Sequence, residues 1–331
     1  MVGIIAARIC TSGRMRAAAR EVQQVIQLID VKKNYGNVVG INGVSFAVRK
    51  GSVMGLLGKN GAGKSTILNV LTGYLCPDAG SVLLDGVDIW KDPIRAKQKF
   101  GYMPESPPVY NELTVEEYLR FAAAVNNVKK GDIKRLIDRV CAQLQLESVR
   151  GRLIGTLSKG YKQRVGIAQA LCHEARIIIL DEPTSGLDPQ QIVDIKNTIR
   201  GMKGEYTVLF SSHILSEVVD VCDEVTIINA GKVLESGGID DILARHADHG
   251  ELVVTVNGDI QHFAAALAAI PGVKAVQQSE IYMQGARYII QCERDLREEV
   301  FRTAVATGVV LLDMKSSGAS LEDIFIKLTR Q

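Results

Sequence analysis

Residues 53–65 read VMGLLGKNGAGKS, and this stretch is the strongest indication of the fold of the chain. Its first five residues are an apolar run that is typical of a buried strand. Glycines follow at once, and residues 64–71 then form a helical pattern that Gly73 ends. From Gly58 to Ser65 the spacing is G-x-x-x-x-G-K-S, in the place between strand and helix that a phosphate-binding loop requires. The stretch therefore predicts an α/β nucleotide-binding domain.

The predicted loop brings several groups to the phosphates of a nucleotide. Its glycines let backbone N–H groups converge on phosphate oxygens, and the N-terminus of the next helix adds partial positive charge. Lys64 can reach the β- and γ-phosphates, and the Ser65 hydroxyl can bind Mg²⁺. We expect the nucleotide to be bound here by Gly58, Asn60, Gly61, Gly63, Lys64, Ser65 and Thr66.

A second element carries two adjacent carboxylates. The apolar run before them ends at Leu180, so Asp181 and Glu182 lie at the C-terminal end of a strand, where α/β proteins bind their ligands. Because side chains alternate along a strand, the two acids are expected to point in different directions. One could then bind a metal ion and the other a water molecule.

Length and pattern predict about two domains in the 331 residues. Residues 1–21 have four arginines before the first acid and are expected to be a disordered extension. We expect residues 22–240 to form a nucleotide-binding domain with a mixed sheet core, an antiparallel edge sheet and a helical insert at about 92–160. Residues 250–331 follow the order βαββαβ and one more helix, which predicts a ferredoxin-like α+β domain.

Composition excludes several classes of protein. The 39 basic and 37 acidic residues leave a formal charge of +2, which gives no electrostatic case for nucleic acid. The longest apolar run, Phe263–Ile270, is far shorter than the roughly 20 residues of a membrane-spanning helix. We therefore expect no membrane span in this chain. Its six cysteines include no C-x-x-C pair that would indicate a metal or redox site.

Three further motifs accompany the phosphate-binding loop in order: LSKGYKQR at 157–164, LDEPTSGLDP at 180–189 and SSH at 211–213. With these motifs, residues 22–240 resemble the ATP-binding subunit of an ATP-binding cassette (ABC) transporter. Two positions depart from the usual pattern of that family. Glu105 stands where the family usually has Gln, and the signature motif reads L-S-K-G-Y, not L-S-G-G-Q. Both departures resemble those found in the exporter branch of gliding-motility, sodium and antibiotic efflux subunits.

The resemblance implies roles for residues around ATP and Mg²⁺. Asp181 would hold Mg²⁺, directly or through water, with Ser65 and Glu105 as further oxygen ligands. Glu182 would be the general base that activates the attacking water. His213 would contact the γ-phosphate, and Tyr35 would stack on the adenine.

The resemblance also implies partners. Ser158 and Gly160 of the signature motif would bind the γ-phosphate held by a second subunit, and Asp188 would couple the two sites. Two copies, or this chain and a homologue, would then close around two ATP. A separate integral-membrane permease would hold the pair at the cytoplasmic face of the membrane.

Other functions are weighed against this expectation of an exporter ATPase. An importer ATPase with a ferredoxin-like sensor domain is the alternative, although importers usually have the L-S-G-G-Q motif and the Gln that this chain lacks. A protein acting on ribosomes would carry two phosphate-binding loops, and one acting on chromosomes would have a long coiled coil after the loop. A catalytically inactive nucleotide sensor conflicts with the presence of Glu182 and His213.

Overall fold

A computed structural model describes residues 23–173, 175–246, 251–282, 285–316 and 321–329. The extension expected at 1–21 lies outside the described residues. The strands are β1 (Gln24–Tyr35), β2 (Val38–Arg49), β3 (Val53–Leu57), β4 (Ala79–Leu84), β5 (Val87–Asp88), β6 (Phe100–Met103), β7 (Ile177–Leu180), β8 (Thr207–Ser212), β9 (Glu224–Asn229), β10 (Lys232–Gly238), β11 (Glu251–Asn257), β12 (Val273–Tyr282), β13 (Gly285–Cys292) and β14 (Val310–Ser316). The helices are α1 (Lys64–Leu71), α2 (Pro93–Lys97), α3 (Val115–Val125), α4 (Lys130–Gln143), α5 (Lys159–Leu171), α6 (Pro189–Met202), α7 (Leu215–Val221), α8 (Ile239–His246), α9 (Ile260–Ala268), α10 (Arg297–Thr307) and α11 (Leu321–Thr329).

The central sheet has the strand order β10-β9-β3-β8-β7-β6. Its strands are parallel except β10, which pairs antiparallel with β9. Every residue of β3, β7 and β8 is buried, because both faces of the sheet are covered. Val53 and Leu57 belong to one hydrophobic cluster, and Met54 and Leu56 belong to another. Because β3, β6, β7 and β8 run parallel, their C-terminal ends lie at one edge of the sheet.

An antiparallel edge sheet, ordered β2-β1-β4-β5, lies beside the central sheet. Sequence patterning predicts its first two strands only over 25–29 and 44–48, and these bounds are wrong. The strands are longer because shifts in register carry the pairing past the polar segment that begins at Asp30. Tyr35 and Val38 then pair at the end of the hairpin.

The helical insert packs into the same core as the central sheet. A capping box begins α3: the Glu117 backbone N–H donates to the Thr114 hydroxyl, and the Glu117 carboxylate accepts from the Thr114 backbone N–H. Tyr118 and Leu119 of α3 and Val140 of α4 share one hydrophobic cluster with Val53 of the central sheet.

The C-terminal sheet has the order β12-β13-β11-β14, with all its pairs antiparallel. This is the strand order of the predicted ferredoxin-like domain, and α9 and α10 pack on it. Helix α11 instead contacts α7 and α8, and its Leu321 and Ile324 join the hydrophobic core of the nucleotide-binding domain. Among the described residues, no helix is long and apolar enough to cross a membrane.

Candidate nucleotide site

The phosphate-binding loop lies between β3 and α1 as predicted, and its backbone needs glycine. Gly61 and Gly63 have φ angles of +81° and +108°, in the left-handed region that favours glycine. At Gly58 a Cβ atom would lie 2.7 Å from the carbonyl oxygen of Ile228. A larger residue at Gly58 would therefore displace the loop from β9.

Lys64 is the buried cation of this loop. Its side chain is 5% exposed, and its Nζ donates to the Gly58 carbonyl oxygen at 2.7 Å. The same Nζ lies 3.4 Å from Oε1 of Glu182. The ammonium is thus held between the loop and the second predicted motif, while Asn60 and Ser65 are exposed beside it.

Asp181 follows β7 and is nearly buried, with 9% of the residue exposed. Its Oδ1 accepts a hydrogen bond of 2.6 Å from the Ser211 hydroxyl. Burial raises the pKa of the Asp181 carboxyl because it disfavours the charged form, although the Ser211 hydrogen bond lowers it. The negative charges of Glu182 and Glu105 raise this pKa further.

The Glu182 side chain contacts Lys64 and His213 and not the Ser211 hydroxyl, which donates to Asp181. The two acids therefore differ in direction as expected, but alternation along a strand is not the reason. The φ of Glu182, +43°, lies in the left-handed region, and β7 has already ended before this residue. Its Oε2 is 3.1 Å from Nδ1 of His213, whose side chain is 42% exposed. Lys64, Glu182 and His213 therefore form one contiguous group of polar side chains at the edge of the sheet.

Ser211 is a residue of the site to which the sequence analysis assigns no role. Its buried Oγ donates to Asp181 and also accepts the backbone N–H of Glu182 at 2.9 Å. One hydroxyl therefore orients both acids. The SSH motif places this serine two residues before His213, which is the signal that could have identified it.

Glu105 and Tyr35 lie at the rim of the site. Glu105 is exposed two residues after β6, whose end Met103 pairs with Leu180, and this brings its charge close to Asp181. The Tyr35 hydroxyl is 3.3 Å from Oγ1 of Thr66 on α1. The Tyr35 hydroxyl thus lies beside the residue that follows Ser65, and stacking on the adenine stays a prediction.

The predicted signature residues and Asp188 lie at the N-termini of α5 and α6. Ser158 is the N-cap of α5 and accepts from the Tyr161 backbone N–H, and Asp188 is the N-cap of α6. Gly160 lies against the side chain of Gln191 on α6. Within the described part of the chain, no hydrogen bond or ion pair joins these residues to the phosphate-binding loop.

The donor set suits Mg²⁺. The described residues contain no group of three or more His, Cys, Asp or Glu that could hold a metal by themselves. Asp181, Glu105 and the Ser65 hydroxyl offer oxygen atoms, and Mg²⁺ is usually bound by one or two carboxylates together with substrate phosphates. Glu182 and Glu105 also place negative charge near Asp181, which a divalent cation would neutralise.

Comparisons with known proteins show which proteins this chain is similar to. The family described as ABC transporter matches residues 41–185. The chain is similar to the linearmycin resistance ATP-binding protein LnrL of Bacillus subtilis, with 32% identity over 92% of this chain and 98% of that protein. It is also similar to the bacitracin transport ATP-binding protein BcrA of Bacillus licheniformis, with 33% identity over 92% of this chain and 97% of that protein.

Solved structures show the same fold. One described as the ATP-binding subunit of an ABC transporter is 32% identical, with a TM-score of 0.61 over 67% of this chain and 92% of that chain. A nucleotide-free ATP-binding cassette is 27% identical, with a TM-score of 0.60 over 66% of this chain and 94% of that chain. The predicted fold class is confirmed.

Proposed function

Because this chain belongs to the ATP-binding, ATP-hydrolysing subunits of ABC transporters, we propose that it drives export through a separate membrane permease. One observation carries the chemical part of this proposal: Lys64, Glu182 and His213 are linked at 3.4 and 3.1 Å beyond the ends of β3, β7 and β8. The subunit would then lie at the cytoplasmic face of the membrane, held there by the permease.

Each residue of the site has a separate role in the hydrolysis of ATP. Glu182 accepts a proton from water as the water attacks the γ-phosphorus, and the bond from that phosphorus to the β-γ bridging oxygen breaks. Lys64 and the loop N–H groups stabilise the charge on the phosphates, and His213 binds the γ-phosphate while it contacts Glu182. Asp181, Ser65 and Glu105 would hold Mg²⁺, which would neutralise charge on the β- and γ-phosphates.

A second subunit completes each site in this proposal. Ser158 and Gly160 lie at the N-terminus of α5, where free N–H groups and the helix dipole favour an anion. They have no bond to the phosphate-binding loop among the described residues, so the γ-phosphate they bind would be that of a partner, homologous or identical. Asp188 would couple the two sites, and Tyr35 would stack on the adenine. Residues 22–240 would form the cassette and 250–331 the accessory domain.

Export is favoured over import by the relatives. LnrL is described as a resistance protein against linearmycin and BcrA as a bacitracin transport protein, and both match nearly the full chain. Glu105 and the L-S-K-G-Y signature agree with that branch. The importer alternative therefore has less support.

A drug-sensitivity assay tests the direction of transport. The chain and its permease would be expressed in a host without its own efflux pumps, and cells would be exposed to antibiotics that include bacitracin and linearmycin. We expect the wild type to lower intracellular drug and raise the inhibitory concentration of at least one compound, whereas Lys64→Ala does not. Greater drug accumulation with the wild type than with Lys64→Ala would contradict export.

A further inference from the structure

Glu217 is a buried carboxylate that the proposed mechanism does not use. It lies in the first turn of α7 and is 4% exposed. Its Oε2 accepts hydrogen bonds from the Thr184 hydroxyl at 2.9 Å and from the Ser212 hydroxyl at 2.7 Å. Among the described residues, nothing bonds its other oxygen, Oε1. A buried polar atom without a partner destabilises a fold, so Glu217 carries a cost in stability at this position.

The two donors come from the two segments that present Glu182 and His213. Thr184 is two residues after Glu182, in a turn where the Ser185 backbone N–H donates to the Glu182 carbonyl oxygen at 3.0 Å. The conformation of this turn sets where the Glu182 carboxylate lies. The hydrogen bond from Thr184 to Glu217 fixes the turn against α7.

Ser212 fixes the other segment. Its hydroxyl accepts a hydrogen bond from the Ile214 backbone N–H at 3.0 Å while it donates to Glu217. His213 therefore lies between Ser212 and Ile214, the two residues that this first hydrogen bond joins. The Ser212 carbonyl oxygen also accepts the Gly58 backbone N–H at 3.3 Å. That bond to the phosphate-binding loop is made by the backbone and does not depend on Glu217.

These contacts close a ring. Glu182 contacts His213 at 3.1 Å, and each is joined through a neighbouring hydroxyl to the same oxygen of Glu217. From this geometry we propose that Glu217 is a positioning residue for hydrolysis, which holds Glu182 and His213 at their working separation. The inference rests on the proposed ATPase mechanism. It assigns Glu217 mainly to the chemical step, because Lys64 keeps its shorter bond to the Gly58 carbonyl oxygen and Gly58 is held by a backbone bond to Ser212.

Steady-state kinetics on the full chain test this role. We expect Glu217→Ala to lower kcat at least tenfold and to change the KM and the Kd for ATP less than threefold, since misplacing a reacting group by about 1 Å can cost roughly a hundredfold in rate. Glu217→Gln keeps one carbonyl oxygen as acceptor and should retain more activity than Glu217→Ala. Glu205→Gln makes the same chemical change at an exposed acid and should match the wild type.

A double-mutant comparison separates positioning from a merely structural role. Thr184→Val combined with Ser212→Ala removes both donors and should reproduce the loss of kcat in Glu217→Ala. Adding Glu217→Ala to that pair should then cost less than a further twofold, because all three changes break the same connection. If Glu217→Ala does not fold, Glu217→Gln and the Thr184–Ser212 pair decide the question.

The outcomes are distinct for the two claims. An unchanged kcat in Glu217→Ala, or a full tenfold loss when it is added to the pair, would overturn the positioning role. The proposed mechanism would survive that result as long as Glu182→Gln still abolishes hydrolysis. Loss of the dependence on Glu182 would instead overturn the mechanism itself.

Discussion

Replacing Ser211 by alanine removes the one hydroxyl that orients both acids of the site. Asp181 loses a donor at 2.6 Å, and the Glu182 backbone N–H loses its acceptor at 2.9 Å. Ser211 is fully buried, so water cannot easily replace either bond. The substitution should therefore affect both the stability of the cassette and the chemistry at its edge.

The expected loss of stability follows from the two groups that lose their hydrogen bonds, the Asp181 carboxylate and the Glu182 backbone N–H. Leaving a buried N–H unsatisfied costs about 1–3 kcal/mol, and a bond to a charged acceptor contributes about 1.5–3 kcal/mol. We expect the free energy of unfolding of the cassette to fall by about 2.5–6 kcal/mol, the sum of these two losses. Because Glu182 would also lose its fixed backbone position, we expect kcat to fall at least tenfold.

The assay uses the single tryptophan of the chain, Trp90, which lies in the cassette and reports its unfolding in urea. The Ser211 hydrogen bond lowers the pKa of Asp181, so its removal should raise that pKa and move the acid limb of the activity profile to higher pH. Ser216→Ala removes an exposed hydroxyl nearby and should leave stability within about 0.5 kcal/mol. Wild-type stability and an unmoved acid limb in Ser211→Ala would contradict the role of Ser211 in orienting both acids.

Four further changes test other parts of the structure. Gly58→Ala places a Cβ 2.7 Å from the Ile228 carbonyl oxygen and should weaken ATP binding roughly ten- to a hundredfold in equilibrium titrations, since overpacking costs about 1–3 kcal/mol; wild-type affinity would contradict it. The folded-state pKa of Asp181 is raised, so protonation of this carboxyl stabilises the fold. This stabilisation is fully present below the unfolded-state pKa and is lost as pH rises through the folded-state pKa. Asp181→Asn should therefore raise the melting temperature of the nucleotide-free protein at pH 7, with a gain that shrinks as pH falls, and a lower melting temperature at pH 7 would count against this. Glu105→Gln should preserve ATP turnover, and a fall of tenfold or more would show that the carboxylate itself is needed. Ile324→Ala removes a buried side chain of α11 and should destabilise its packing on the cassette by about 2–5 kcal/mol, seen as faster hydrogen exchange in α11; unchanged exchange would disprove the contact.

Much of the site could be predicted because it depends on local sequence and on one rule of topology. The phosphate-binding loop is continuous in sequence, and Glu105, Asp181 and His213 follow β6, β7 and β8, whose C-terminal ends lie at the same edge of the sheet as the loop. Two features depend instead on contacts between distant residues. The double hydrogen bond of Ser211 needs β7 and β8 in register, and the left-handed φ of Glu182 occurs at the residue whose backbone N–H Ser211 accepts.

The C-terminal region shows the same division. The βαββαβ pattern is local and was sufficient for the antiparallel sheet of β11 to β14. The amphipathic pattern of α11 predicts a helix with one apolar face but does not say which surface covers that face. The structure places it on α7 and α8, about 80 to 100 residues earlier in the chain, so the assignment of residues 250–331 to one domain remains a prediction.

The most direct test of the account is ATP hydrolysis by purified Glu182→Gln in a single turnover, with ATP binding measured in parallel. A general base contributes about 10²–10⁴-fold to a rate, so hydrolysis should fall at least a hundredfold while the Kd for ATP changes less than threefold and ATP-bound dimers accumulate. Glu205→Gln provides the control for loss of an acid and should hydrolyse ATP like the wild type. Turnover by Glu182→Gln at the wild-type rate would contradict the assignment of the site.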